Sequence, residues 1–226
     1  MILNISTNIV LNLLAYIDNS MYTASPLQFQ THSIPGDYGY QFEYLLVAAP
    51  SVTVHQQVME ERNYFSAIYQ EKVLLNTKPY IKVAKFMAKE AMEETILRWM
   101  HRSLAILPTF SVMLNNYGGY PPHTIFIRVQ DLQPFKKLGA ALQSVNHYIT
   151  TNNCPPLQLV GKPHLTIASR LSPEVFEKAM LDYSPKTFEA SFELNELILL
   201  RRQHPFDACK QVTSFRLAPA ENILTH

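Results

Sequence analysis

The sequence predicts an α/β chain of the α+β kind, built as two pseudo-twofold-related lobes, each a small mixed or antiparallel sheet with helices on its outer face and a cleft between them. Three observations predict it. One seven-residue strand is written twice, as Lys78-Pro79-Tyr80-Ile81-Lys82-Val83-Ala84 and as Lys162-Pro163-His164-Leu165-Thr166-Ile167-Ala168, 84 residues apart from Lys78 to Lys162. Strand-like and helix-like periodicities alternate in the same order around both copies. The 226 residues, 47% hydrophobic and 16% charged, supply a real core but fall short of two full domains.

The first half opens on residues 44–49, a continuous apolar run of strand length closed by Pro50, which reads as a buried strand. Val54, Val58, Phe65 and Ile68 then recur at helical spacing. The first motif strand, 78–85, follows. Met92, Ile96, Trp99, Met100, Leu104 and Leu107 mark a second amphipathic helix ended by Pro108, and Phe110, Val112 and Leu114 alternate as a half-buried strand. Tyr117-Gly118-Gly119-Tyr120-Pro121-Pro122 reads as a loop by composition.

The series then starts again. Ile125, Ile127 and Val129 give a strand, and Phe135, Leu138, Leu142, Val145 and Ile149 give one helix opened by Asp131, with Pro134 in its first turn. A second loop, Asn152-Asn153-Cys154-Pro155-Pro156, precedes the second motif strand, 162–169. Ser172-Pro173-Glu174 is a helix start: a capping hydroxyl, a proline at the first turn and an acid near the positive helix end. Phe188, Phe192 and Leu194 begin a strand that runs on to Leu200, and Thr213, Phe215 and Leu217 give a last one. Each half therefore reads strand, helix, motif strand, helix, strand. Two copies of one unit are expected to pack about a pseudo-twofold axis and bring the motif strands side by side. The domain is expected over residues 41–218, with 1–40 as an extension and 219–226 as a tail.

Composition excludes several classes. A net charge of +1 argues against a broadly basic nucleic-acid coat, so a polyanion has to be held locally. Cys154 and Cys209 are the only cysteines, with no Cys-x-x-Cys and no His/Cys cluster at zinc spacing, so neither a disulfide framework nor a structural metal is expected. The first basic residue is Arg62, so the apolar run at 9–17 lacks the positive leader of a secretory signal, and it is far shorter than the roughly 20 residues that span a bilayer. A monomer in the cytoplasm, with no membrane partner and no cofactor, is the expectation.

The duplicated strand carries the chemistry. Successive side chains point to opposite faces, so Ile81 and Val83, like Leu165 and Ile167, face a core. The other face then carries Lys78, Tyr80 and Lys82 in one copy and Lys162, His164 and Thr166 in the other. An imidazole and a hydroxyl two residues apart on one strand face suit a single phosphate: one moves a proton, the other donates to a non-bridging oxygen. Lys78 and Lys162 are candidates for attracting that phosphate, and Tyr120, beside Tyr117 in the glycine loop, for stacking on a base. His55, His101 and His123 have no partners at ligand spacing and read as surface or structural groups, while Trp99 and Met100 read as core.

On these residues the chain resembles the 2H phosphoesterase superfamily, the group of 2′-5′ RNA ligase-like proteins and cyclic phosphodiesterases. Its hallmark is a pair of His-x-Thr/Ser motifs, each on a strand in one of two related lobes. Pro163-His164-Leu165-Thr166-Ile167 is a full second motif, and the order of elements agrees over roughly residues 43–218. The resemblance implies metal-free chemistry on a 2′,3′-cyclic phosphate or a 2′-5′ linkage, at a nucleotide or RNA end, with one histidine as general base and the other as general acid. His164 and Thr166 carry over. Where the family has its first His and Thr, this sequence has Tyr80 and Lys82. A tyrosine is a poor base near neutrality but serves as a proton donor, and a lysine replaces a hydroxyl by charge. Two main readings stay open: an active cyclic phosphodiesterase or 2′-5′ RNA ligase-like enzyme using His164, Thr166, Tyr80 and Lys82, and a catalytically impaired binder of nucleotides or RNA ends. A third, a scaffold with a vestigial cleft, predicts neither binding nor turnover.

Overall fold

A sequence in which strand and helix periods alternate folds as strands sharing a sheet with helices packed on it. The computed structural model describes residues 41–71, 77–204 and 207–220. The extension expected over 1–40 lies outside the described residues, as does most of the tail.

The first half of the chain runs β1 (Gln41–Ala48), α1 (Val52–Tyr69), β2 (Ile81–Lys89), a 3₁₀ turn (Glu90–Met92), α2 (Glu93–Leu104) and β3 (Phe110–Tyr120). The second runs β4 (Thr124–Val129), α3 (Gln133–Ala141), α4 (Gln143–Thr151), the two-residue β5 (Gln158–Leu159), β6 (His164–Ser169), α5 (Pro173–Tyr183), β7 (Glu189–Leu194), β8 (Glu196–Arg202) and β9 (Lys210–Arg216). Caps fix the helix starts: Ser51 Oγ accepts from the Val54 amide, and Ser172 Oγ from the Val175 amide with Pro173 behind it.

The strands lie in the order β7-β3-β4-β6-β2-β1-β8-β9, all pairs antiparallel, with β5 beside β2. The path divides into two four-stranded halves that meet at β6 and β2. There a single register pair, Ile81 with Leu165, joins them. Those two residues are the middle positions of the two similar seven-residue segments, so the halves of the sheet meet at those segments.

The halves of the chain exchange parts. β3 of the first half pairs with β4 of the second, and β8, late in the chain, returns to pair with β1. Likewise α1 packs on β6, and α3 packs on β2. One continuous core follows, running from Tyr44, Leu46, Phe86 and Met100 through Ile81 and Leu165 to Ile127, Phe176 and Phe192. No helix among the described residues is long and apolar enough to cross a membrane.

Several sequence expectations change. The first motif strand starts at Ile81 and runs to Lys89, and the second starts at His164, so Lys78 and Lys162 lie in the turns before the strands, exposed. The expected glycine loop is strand: Tyr117, Gly118, Gly119 and Tyr120 pair with Ile127, Phe126, Ile125 and Thr124. A Cβ at Gly119 would stand 2.8 Å from the Phe176 ring and the Met180 sulfur of α5, which is why a strand interior carries glycine there. The helix expected from Phe135 to Ile149 breaks at Leu142 into α3 and α4. The strand expected to run on to Leu200 breaks at Asn195, where the chain passes from pairing with β3 to pairing with β1 and the Asn195 carbonyl accepts the Leu217 amide at 2.8 Å. Trp99 is 38% exposed and packs on Tyr148, whereas Met100 is core.

Candidate active site

The junction pair places the motif side chains. Continuing the antiparallel register one residue either way from Ile81 and Leu165 sets Lys82 across from His164 and Tyr80 across from Thr166, all on the face opposite the buried Ile81 and Leu165. Lys82 thus stands near enough to His164 for its charge to act on the imidazole, and Tyr80 and Thr166 take the neighbouring positions of the same register. On the next strand Arg128 pairs with His164 and Phe126 with Thr166, on the same face. The Tyr120 ring stands 5.3 Å from that of His164 and 4.5 Å from that of Phe126, and Phe126 lies 4.6 Å from His164, so an aromatic shelf backs the imidazole. Tyr117 is not part of it, being buried against Tyr183 and Phe188 on the other face.

The tautomer of His164 follows from its partner. Nδ1 lies 2.8 Å from the Lys162 carbonyl, which only accepts, so Nδ1–H donates and Nε2 keeps its lone pair when the ring is neutral. Burial holds the imidazole below its usual value, the Lys82 charge adds to this, and the carbonyl bond opposes both. Burial raises the Tyr80 phenol, so it keeps its proton. Burial, with Lys85 next, lowers Lys82. A neutral base, a retained acid and a cation of reduced basicity therefore converge on one face.

Charges nearby are already committed. Glu43 pairs with Lys85 at 3.4 Å and accepts from Arg202. Cys209, its thiol raised by burial, lies close enough for its charge state to bear on Tyr80 and Lys82. Beneath the junction sits a residue that sequence reasoning missed. Arg62 of α1, 2% exposed, donates from Nε and Nη2 to the Thr166 carbonyl at 3.2 and 2.8 Å, and from Nη1 to the Thr77 carbonyl at 2.6 Å. Burial pushes it down to about 10, still charged at neutral pH. Phe126 and Arg128 were legible in principle, as alternate positions to Ile125, Ile127 and Val129; Arg62, 104 residues from Thr166, left no local signal.

Two cavities lie elsewhere. One of about 610 Å³ is lined by residues such as Thr109, Glu193, Asn195 and Arg216, and one of about 170 Å³ by Val83, Phe135, Leu159 and Pro163 among others. Neither includes a motif group from the junction face. Among the described residues no group of three or more His, Cys, Asp and Glu side chains is placed to hold a metal ion.

Comparison with known proteins agrees with the fold. Residues 51–205 match the sequence model of the 2′-5′ RNA ligase superfamily. TT0787 of Thermus thermophilus superposes with a TM-score of 0.61 at 16% identity, over 77% of this chain and 97% of that one. Apo LigT of E. coli gives 0.57 at 12% identity, over 79% and 98%. LigT complexed with 3′-AMP gives 0.52 at 13% identity, over 79% and 99%. LigT complexed with ATP gives 0.51 at 12% identity, over 80% and 99%. No curated protein sequence matches significantly.

Proposed function

The chain belongs to the 2′-5′ RNA ligase superfamily, and from that membership we propose that it binds a 2′,3′-cyclic phosphate or 2′-5′ phosphodiester of a nucleotide or RNA end at the junction face and hydrolyses it by acid–base chemistry. The observation that carries this is the opposition of Tyr80 and Lys82 to His164 and Thr166 about the Ile81–Leu165 pair. That LigT structures include complexes with 3′-AMP and ATP supports a nucleotide as the ligand.

The roles follow from protonation. His164 Nε2 takes a proton from the attacking water as its oxygen bonds to phosphorus. The bond from phosphorus to the 2′ or 3′ oxygen breaks, and the Tyr80 phenol gives its proton to that oxygen. The Thr166 hydroxyl and the Lys82 ammonium hold non-bridging oxygens and offset the charge that develops there. Both side chains lack a hydrogen bond or ion pair among the described residues, so both are free to do so.

Incubating the purified protein with 2′,3′-cyclic nucleotides tests this. Turnover is expected, and His164→Ala is expected to lower it by about 10²–10⁴. Turnover indifferent to that substitution removes the catalytic assignment. The Tyr80-x-Lys82 pair also favours a second reading, a binding protein that has lost one half of its proton relay. Saturable calorimetric binding of the same nucleotides without turnover would select it.

A further inference from the structure

We propose that Arg128 holds a second phosphate of the substrate, so that the site selects a nucleotide or RNA end carrying a phosphate in addition to the one at His164. The inference rests on the reading given under Proposed function and deepens it. Arg128 lies on β4, in register with His164 and on the same face, so the two Cβ atoms are about 5 Å apart. A guanidinium on its long stem therefore reaches beyond the reacting phosphate rather than onto it.

Lys82 is already assigned to the reacting phosphate, and freedom separates Arg128 from the remaining arginines and Lys85 around the junction. Lys85 and Arg202 are taken by Glu43, and Arg62 by two backbone carbonyls. Arg128 is exposed and makes no hydrogen bond or ion pair among the described residues. The nearest carboxylate in its row, Glu189, is two strands away beyond Asn115. The strand beside it is cut back to make room: a Cβ at Gly118 would stand 3.4 Å from Arg128 Cγ and 3.0 Å from the Phe126 ring, so glycine lets both side chains lie over β3. A planar fork of donors next to an imidazole and two aromatic rings matches a second phosphate on the same nucleotide.

Calorimetry with adenosine 2′,3′-cyclic phosphate, with and without a 5′-phosphate, tests the assignment. The 5′-phosphate is expected to tighten binding about tenfold, in a salt-sensitive way, and Arg128→Gln to abolish that gain while leaving the unphosphorylated form unchanged. Arg128→Lys, which keeps the charge but not the fork, is expected to restore part of it. Equal affinity for the two nucleotides, or a gain that survives Arg128→Gln, overturns the inference and leaves the reading of the site standing. Failure of both nucleotides to bind overturns that reading and this inference with it. Because the Arg128 side chain is exposed, the melting temperature of the variant is expected to be unchanged, which confirms that affinity is being compared in folded protein.

Discussion

His164, Tyr80 and Lys82 are shifted in directions that fix the pH behaviour. The base form of His164 is reached as pH rises through a value below the ordinary 6.5, so the acid limb of kcat/KM is expected below that point. Tyr80 keeps its proton beyond the ordinary 10, and Lys82 loses its charge before the ordinary 10.5. The alkaline limb therefore belongs to Tyr80 and Lys82 together, well separated from that of His164, and a broad plateau is expected. Two histidines would instead give a bell near neutrality. In Lys82→Met the rate is expected to fall and the alkaline limb to be left to Tyr80 alone; a narrow bell in the wild type, unmoved by that substitution, would contradict the roles given to both residues. These four positions were legible because repetition marked them. Their shifts were not, because burial is a property of the packed sheet.

The two motif strands share one register pair, so something else must hold them, and α1 supplies it through Arg62. Arg62→Met leaves the Thr77 and Thr166 carbonyls without their donor and is expected to cost on the order of 3 kcal/mol, read from urea denaturation. Arg62→Lys keeps the charge but cannot span both carbonyls. It is expected to recover stability more than turnover, because the strand spacing, not the charge alone, sets the geometry between Tyr80 and His164. Full recovery of turnover by lysine would show that the fork has no positioning role. Elements with a clear period, such as β4 and α2, were visible in the sequence, as was α5 through its capped start at Ser172. The end of β3 was not, since Gly118 and Gly119 signal a turn but serve close packing against Phe126 and Phe176. Nor was the break at Asn195, because the residues on both sides are strand formers and only the change of partner interrupts them.

For the molecule as a whole, the α+β class and the two-lobed arrangement were readable but the exchange of β3, β8, α1 and α3 between halves was not, since pairing partners distant in the chain carry no local mark. The exchange means that neither half of the chain owns a complete sheet, and one core runs through both. Fragments 41–120 and 121–220 are therefore expected to be unfolded alone and to regain helical circular dichroism when mixed, while the intact chain unfolds in one transition with equal calorimetric and van't Hoff enthalpies. Two separate transitions would contradict this. The junction at Ile81 and Leu165 sets Tyr80 and Lys82 on one side and His164 and Thr166 on the other, so under the proposed function a phosphodiester turned end for end meets different chemistry. The proposed site thereby acquires a polarity: water is expected over the imidazole and the departing oxygen toward the phenol, so that only one sense of the bound strand is expected to be productive.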